Sequence, residues 1–184
     1  MKIPMIKKFG ILSCLALACA VVSPSVVRAQ SNAGIILFGN RDETALDYCL
    51  DSGVSGRTDR YYLKVDSQKF KISEILITYN GDYNKFNENN GYFDDSEIKL
   101  RVASKCKEGG RELEVKSATW DKEGRRLTIV PQEDIPAQTP VQVVLSYVRN
   151  PDVGGFYKFH GRVVRNDGIA SLSPVIGTWV ITFD

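Results

Sequence analysis

Residues 147–159, YVRNPDVGGFYKF, admit three readings, and the choice among them decides the fold. A phosphate-binding loop needs spaced glycines followed by Lys-Ser/Thr and the start of a helix. Here Gly154-Gly155 runs into Phe156-Tyr157-Lys158-Phe159, which alternates like a strand. Glycine and aromatics on a strand also resemble the base-stacking strand of an RNA-recognition module, which works in a positive field. The third reading is a turn. Asn150-Pro151-Asp152-Val153 has Asn at the first and Pro at the second position of a type I turn. Gly154-Gly155 can adopt positive φ and return the chain. This predicts a hairpin in which the strand Val141 to Arg149 pairs with Phe156 to Val164. On the second strand Tyr157, Phe159, Gly161 and Val163 share one face, and Phe156, Lys158, His160 and Arg162 the other.

Outward from this stretch the hydrophobic period stays at two, which predicts strands. Gly34 to Phe38 is a short apolar opening. Tyr61 to Val65 alternates, as do Ile75-Ile77-Tyr79, Ile98 to Val102, Leu113 to Trp120 and Arg126 to Val130. Val141, Val143, Leu145 and Tyr147 form the strongest face, and Thr178 to Phe183 closes the chain. Asn80-Gly81-Asp82, Asn89-Asn90-Gly91, Glu108-Gly109-Gly110 and Asn166-Asp167-Gly168 supply turns between them. Arg41 to Leu50 offers one short helix, with Ala45, Leu46 and Cys49 on a shared face. The pattern predicts an all-β antiparallel β-sandwich, immunoglobulin-like or similar, with about nine strands and at most one short helix.

The N-terminus reads as a signal peptide. Lys2, Lys7 and Lys8 precede an apolar run from Ile11 to Val22, too short for a bilayer span of roughly 20 residues. Val27-Arg28-Ala29 places small residues at a cleavage site, so residues 1–29 are expected to leave and 30–184 to form a single domain. The competing reading is a lipoprotein with Cys14 or Cys19 lipidated; Ala16-Leu17-Ala18 before Cys19 does not give the usual Leu-small-small order, and the apolar run continues beyond Cys19. The whole chain is +2, but the leader holds four basic residues and no acid, which leaves 20 Lys and Arg against 22 Asp and Glu, a net of −2. No electrostatic footprint for nucleic acid survives, and the RNA reading of the opening stretch falls with it. No integral membrane segment is expected after cleavage.

Two of the four cysteines, Cys14 and Cys19, lie in the leader. An exported chain left with Cys49 and Cys106 most simply joins them in one disulfide.

IPAQTPVQVVLSYVRNPDVGGFYKF, followed by IGTWVITF, resembles a cyanobacterial exported family catalogued as domain of unknown function twenty-eight-oh-eight. The residues that carry the resemblance are Pro136 and Pro140, Arg149-Asn150-Pro151, Gly154-Gly155-Phe156-Tyr157 and Gly177-Thr178-Trp179. The chain departs from the pattern at Gln138, where a glycine is expected, and at Asn166-Asp167-Gly168, which lacks a proline. The resemblance implies export and no established activity.

Few residues are left for chemistry. His160 is the sole histidine and lies on the polar face of its strand; as a general base it would need a serine and a carboxylate that no motif supplies. FNENNGYFDDSE, Phe86 to Glu97, nearly matches a calcium loop, with Glu88, Asn90, Gly91, Asp94 and Glu97 in place, but Phe86 stands where an aspartate belongs. Asp42, Glu43, Asp47 and Asp51 form a second acidic cluster. Tyr61, Tyr62, Tyr79, Tyr83, Phe86, Tyr92 and Phe93 enrich the central third in aromatics, and any left exposed suit a sugar or a protein partner. The expectation is a non-catalytic envelope protein without a cofactor, periplasmic or extracellular, that contacts another envelope protein or a surface polymer. The alternative is a calcium- or glycan-binding module using the loop Asn84 to Glu97.

Overall fold

The computed structural model describes residues 44–79, 86–166 and 173–184. The leader 1–29, the strand expected at Gly34 to Phe38, the acidic residues Asp42 and Glu43, the Asn80-Gly81-Asp82 turn, Tyr83, Asn84 and the Asp167-Gly168 turn lie outside the described residues.

The strands are β1 (Tyr48–Leu50), β2 (Thr58–Val65), β3 (Ile72–Tyr79), β4 (Ile98–Val102), β5 (Glu112–Leu113), β6 (Val115–Asp121), β7 (Arg126–Pro131), β8 (Val141–Arg149), β9 (Gly155–Arg165) and β10 (Val175–Phe183). They form two five-stranded antiparallel sheets, in the orders β1-β2-β8-β4-β5 and β10-β9-β3-β7-β6. Leu63, Leu100, Val143 and Leu145 of the first sheet share one buried cluster with Ile75, Ile129, Phe159 and Trp179 of the second. This is a β-sandwich, in which alternate residues of each strand fill the layer between the sheets. Gly161 on β9 is part of that fit: a Cβ there would lie 2.8 Å from the Trp179 ring.

The expected hairpin does not form. β8 pairs with β2 and β4, setting Leu145 opposite Tyr61 and Ile98. β9 pairs with β10 and β3, setting Phe159 opposite Trp179 and Tyr79. Residues 150–154 therefore carry the chain from one sheet to the other. Turn chemistry specifies that the chain changes direction, not which layer receives the next strand. Of the two glycines, Gly155 has positive φ, at 139°.

Three local departures separate the structure from the sequence pattern. Between Asp59↔Val148 and Tyr61↔Leu145 the register gains one residue on β8, and Tyr147 there has φ 53°. This is a β-bulge, which reverses the alternation beyond it. Val148 is consequently buried, and Tyr147, expected on the core face, is exposed. The expected helix over 41–50 is extended wherever it is described: Ala45 bridges Thr178, and β1 pairs with β2. Spacing by two buries Leu46 and Leu50, leaving Cys49 outside that core cluster, against Tyr62 and Val144. The expected strand from Leu113 to Trp120 is divided into β5 and β6, which belong to different sheets. Among the described residues the one helical turn is the 3-10 turn Asp95–Glu97.

Gln138, which stands where the family pattern expects glycine, has φ 63°. A side chain in the left-handed region costs about 1–2 kcal/mol, partly offset by the greater unfolded-state freedom of glycine. Gln138→Gly is therefore expected to raise stability by about 0.5–1 kcal/mol, read as a higher urea midpoint with an unchanged slope.

Candidate interaction surface

The inter-sheet corner is built around a buried side chain. Asn150 donates from Nδ2 to the Val54 carbonyl at 2.8 Å and to Asp59 Oδ2 at 3.1 Å. The Tyr61 hydroxyl donates to Asn150 Oδ1 at 2.6 Å. The backbone N–H of Asn150 donates to the Arg57 carbonyl at 2.8 Å. Asp59, also buried, accepts from the backbone N–H groups of Asp51, Ser52 and Gly53 at 3.1, 3.0 and 2.7 Å. One polar cluster thus ties the β8–β9 corner to the β1–β2 loop, and every buried group in it has a partner, as a low-dielectric interior requires.

Burial, and after it the Asp59 carboxylate, push the Tyr61 hydroxyl well above its ordinary value. Burial also pushes Tyr79 up to about 12. A tyrosine raised in the folded state contributes fully below the unfolded value of about 10, and that contribution fades as pH climbs toward the folded value. Stability is expected to decline above about pH 10. Urea titrations across that range should show a flatter decline for Tyr61→Phe/Tyr79→Phe.

Around the corner the surface is unusually apolar. Of six exposed large hydrophobic side chains among the described residues, Val54, Tyr92, Tyr147, Val153 and Phe156 surround it, and only Val175 lies at the other end. Tyr92, Tyr147 and Phe156 are 52, 60 and 63 % exposed. The loop after Phe86 is fastened to the corner: Asp152 N–H donates to the Asn89 carbonyl at 2.8 Å, and Asn90 Nδ2 donates to Asp152 Oδ2 at 2.7 Å. Arg149 reaches the other Asp152 oxygen at 2.8 Å. The hydrogen bond from Asn90, then the one from Arg149, hold the Asp152 carboxyl below its usual value.

The sequence-predicted residues are distributed as follows. Phe86, placed first in the calcium-like pattern, is fully buried and stacks on Phe93 at 4.9 Å between ring centres. Glu88 lies 3.4 Å from Arg125, and Asp94 accepts from the Ser96 hydroxyl at 2.6 Å. Among the described residues no three His, Cys, Asp or Glu side chains gather as a metal ion would require. Asp47 and Asp51 pair with Lys64 and Lys107 at 3.1 and 2.9 Å. His160 Nδ1 lies 3.0 Å from the Thr178 hydroxyl on the outer face of its sheet. Tyr61, Tyr79, Phe86 and Phe93 belong to the core and Tyr62 to the smaller buried cluster, so Tyr92 is the exposed ring among the described members of that group.

Cys49 and Cys106 are joined in a disulfide. It holds the segment after β4 across the outer face of the first sheet, over Tyr62 and Val144. A recess of about 280 Å³ opens beside it, lined in part by Asp47, Tyr62, Lys64 and Gln142. Lys64 lies 3.1 Å from Asp47 and 3.0 Å from Asp66, and Gln142 Nε2 donates to the Lys105 carbonyl at 3.2 Å. Sequence reasoning missed the corner cluster and Tyr147. The one hint was the Arg149-Asn150-Pro151 element of the family pattern.

Fold and surface together define an antiparallel β-sandwich with an aromatic collar at one end. The chain belongs to the family described as protein of unknown function DUF2808, whose model matches residues 35–183. Among solved structures it is similar to BslA, a bacterial hydrophobin, at 11 % identity over 76 % of this chain and 95 % of that one, with a TM-score of 0.44. It is also similar to the collagen-binding domain of a Staphylococcus aureus adhesin, at 9 % identity over 68 and 86 % of the two chains and a TM-score of 0.37. An uncharacterised Nocardia farcinica protein with an immunoglobulin-like fold gives 11 % identity over 76 and 97 %, with a TM-score of 0.37. No curated protein matches the chain.

Proposed function

We propose that the chain is an exported, non-catalytic β-sandwich module of the cell envelope that works by contact with another envelope protein or a surface polymer. The observation that carries this is the collar: Val54, Tyr92, Tyr147, Val153 and Phe156, five of the six exposed large hydrophobic side chains among the described residues, gather at one end of the fold. Exposed apolar groups gathered in one region mark an interaction surface. The distinctive polar residues Asn150, Asp59 and Asp152 are occupied in holding that end rigid. The Cys49–Cys106 bond and the N-terminal leader pattern support an oxidising destination.

A photo-cross-linking amino acid at position 147, expressed in the native cell, tests the reading against the same group at Glu133, an exposed residue after β7 at the far end. A discrete cross-linked species in envelope fractions from position 147, and not from 133, is the expected result. Equal or absent cross-linking from the two positions would remove the reading.

A further inference from the structure

We infer that the corner end of the β8 sheet binds a neutral polysaccharide, with Tyr92 and Tyr147 as the stacking rings and Arg149, Asp152 and Asn90 as the hydrogen-bonding row. This rests on the reading above and narrows its partner to one chemical class. Tyr92 and Arg149 exchange both backbone hydrogen bonds, at 3.1 and 2.9 Å. They therefore stand directly opposite each other with side chains on one face. Tyr147 lies two residues away along β8 and is exposed as well. Three neighbouring positions thus present ring, guanidinium and ring.

Tyr147 sits at φ 53°, a conformation in which glycine or asparagine is at ease and a bulky side chain is an outlier. The bulge that imposes it is also what aims the ring outward. A strained residue kept in place so that its side chain faces solvent points to use of that side chain.

The polar row selects the ligand. Arg149 and Asp152 neutralise each other at 2.8 Å, and Asn90 holds the second carboxylate oxygen at 2.7 Å. An anionic polymer would meet a guanidinium already paired. A peptide seeking to add a strand would find the Tyr92 and Arg149 backbone groups already used. What remains in the row is a pre-ordered set of N–H donors and carboxylate lone pairs with no net charge of its own, while Arg60 of β2, opposite the bulge, donates from Nε to the Ser146 hydroxyl at 3.2 Å. A sugar matches it: hydroxyls donate to and accept from such a row, and the apolar C–H faces of the pyranose lie on aromatic rings.

The test is affinity electrophoresis of residues 30–184 in native gels containing dextran, mannan, galactomannan or amylose, with alginate as the anionic arm. Tyr147→Gly removes the ring while suiting the backbone, so its thermal midpoint should hold or rise. Tyr92→Ala removes the other ring, and Glu133→Ala is the control. The expected result is retardation by at least one neutral polymer, weakened about tenfold or more by either tyrosine variant and unchanged in the control. Retardation by alginate alone, by none of the gels, or undiminished in both tyrosine variants would overturn the inference. If the gels fail while cross-linking from position 147 persists, the polysaccharide assignment falls and the interaction module stands. If both fail, both fall.

Discussion

Asn150→Ala is expected to destabilise the protein by about 3 kcal/mol and to lower its thermal midpoint by roughly 10 °C. The side chain is fully buried and serves three partners: the Val54 carbonyl, the Asp59 carboxylate and the Tyr61 hydroxyl. Alanine deletes all three bonds and leaves their partners in a space too confined for ready rehydration. A net hydrogen bond contributes about 1 kcal/mol, but an abandoned buried polar group costs about 1–3 kcal/mol, so the orphans dominate. Asn150→Asp distinguishes this from simple loss of volume. It keeps the shape, removes the amide donor and sets a second carboxylate beside Asp59, so it should destabilise at least as much at neutral pH. Differential calorimetry on both variants measures the effect. A loss below about 1 kcal/mol, the size of a single net bond, would mean the corner is held by something else.

The second large effect concerns the disulfide. Cys49→Ala/Cys106→Ala opens a loop spanning 57 positions of sequence separation. The chain-entropy relation gives about 4 kcal/mol for a loop of that size, through greater freedom of the unfolded chain. Because the unfolded ensemble expands, the urea slope should increase along with the fall in midpoint. The double variant also frees the segment that lies over Tyr62 and Val144, and binding of a hydrophobic dye by the folded protein should rise. A fall in midpoint with an unchanged slope would place the effect in the native state instead.

Much of the sandwich was legible because a strand with one buried face writes its period into the sequence. β4 and β8 begin and end where the alternation does, at Ile98 and Val102 and at Val141 and Arg149. What failed were statements that depend on partners far along the chain. Whether β9 lands beside β8 or across the core is decided by Asn150 reaching Asp59 and Val54, residues 91 and 96 positions away. The Asn-Pro-Asp and Gly-Gly letters look the same in either case. The bulge at Tyr147 was invisible for a related reason: its left-handed position carries an aromatic and not the glycine that would have announced it. Over 44–50, Leu46 and Leu50 fit helical and strand spacing alike, and only pairing with β2 and β10 separates the two. Of the surface, Tyr92 was visible as one aromatic among several. Its exposure follows from Phe86 and Phe93 filling the core on either side of it in sequence, which composition does not convey.

The central claim is that residues 150–154 join two sheets. Backbone NMR on labelled residues 30–184 tests it most directly, through amide and α-proton cross-peaks between strands. The structure predicts ladders that link Leu145 to Tyr61 and Ile98, and Phe159 to Trp179 and Tyr79. A ladder linking Arg149 to Phe156 and Tyr147 to Lys158 would make the stretch a hairpin. It would dismantle the corner and the binding surface built on it.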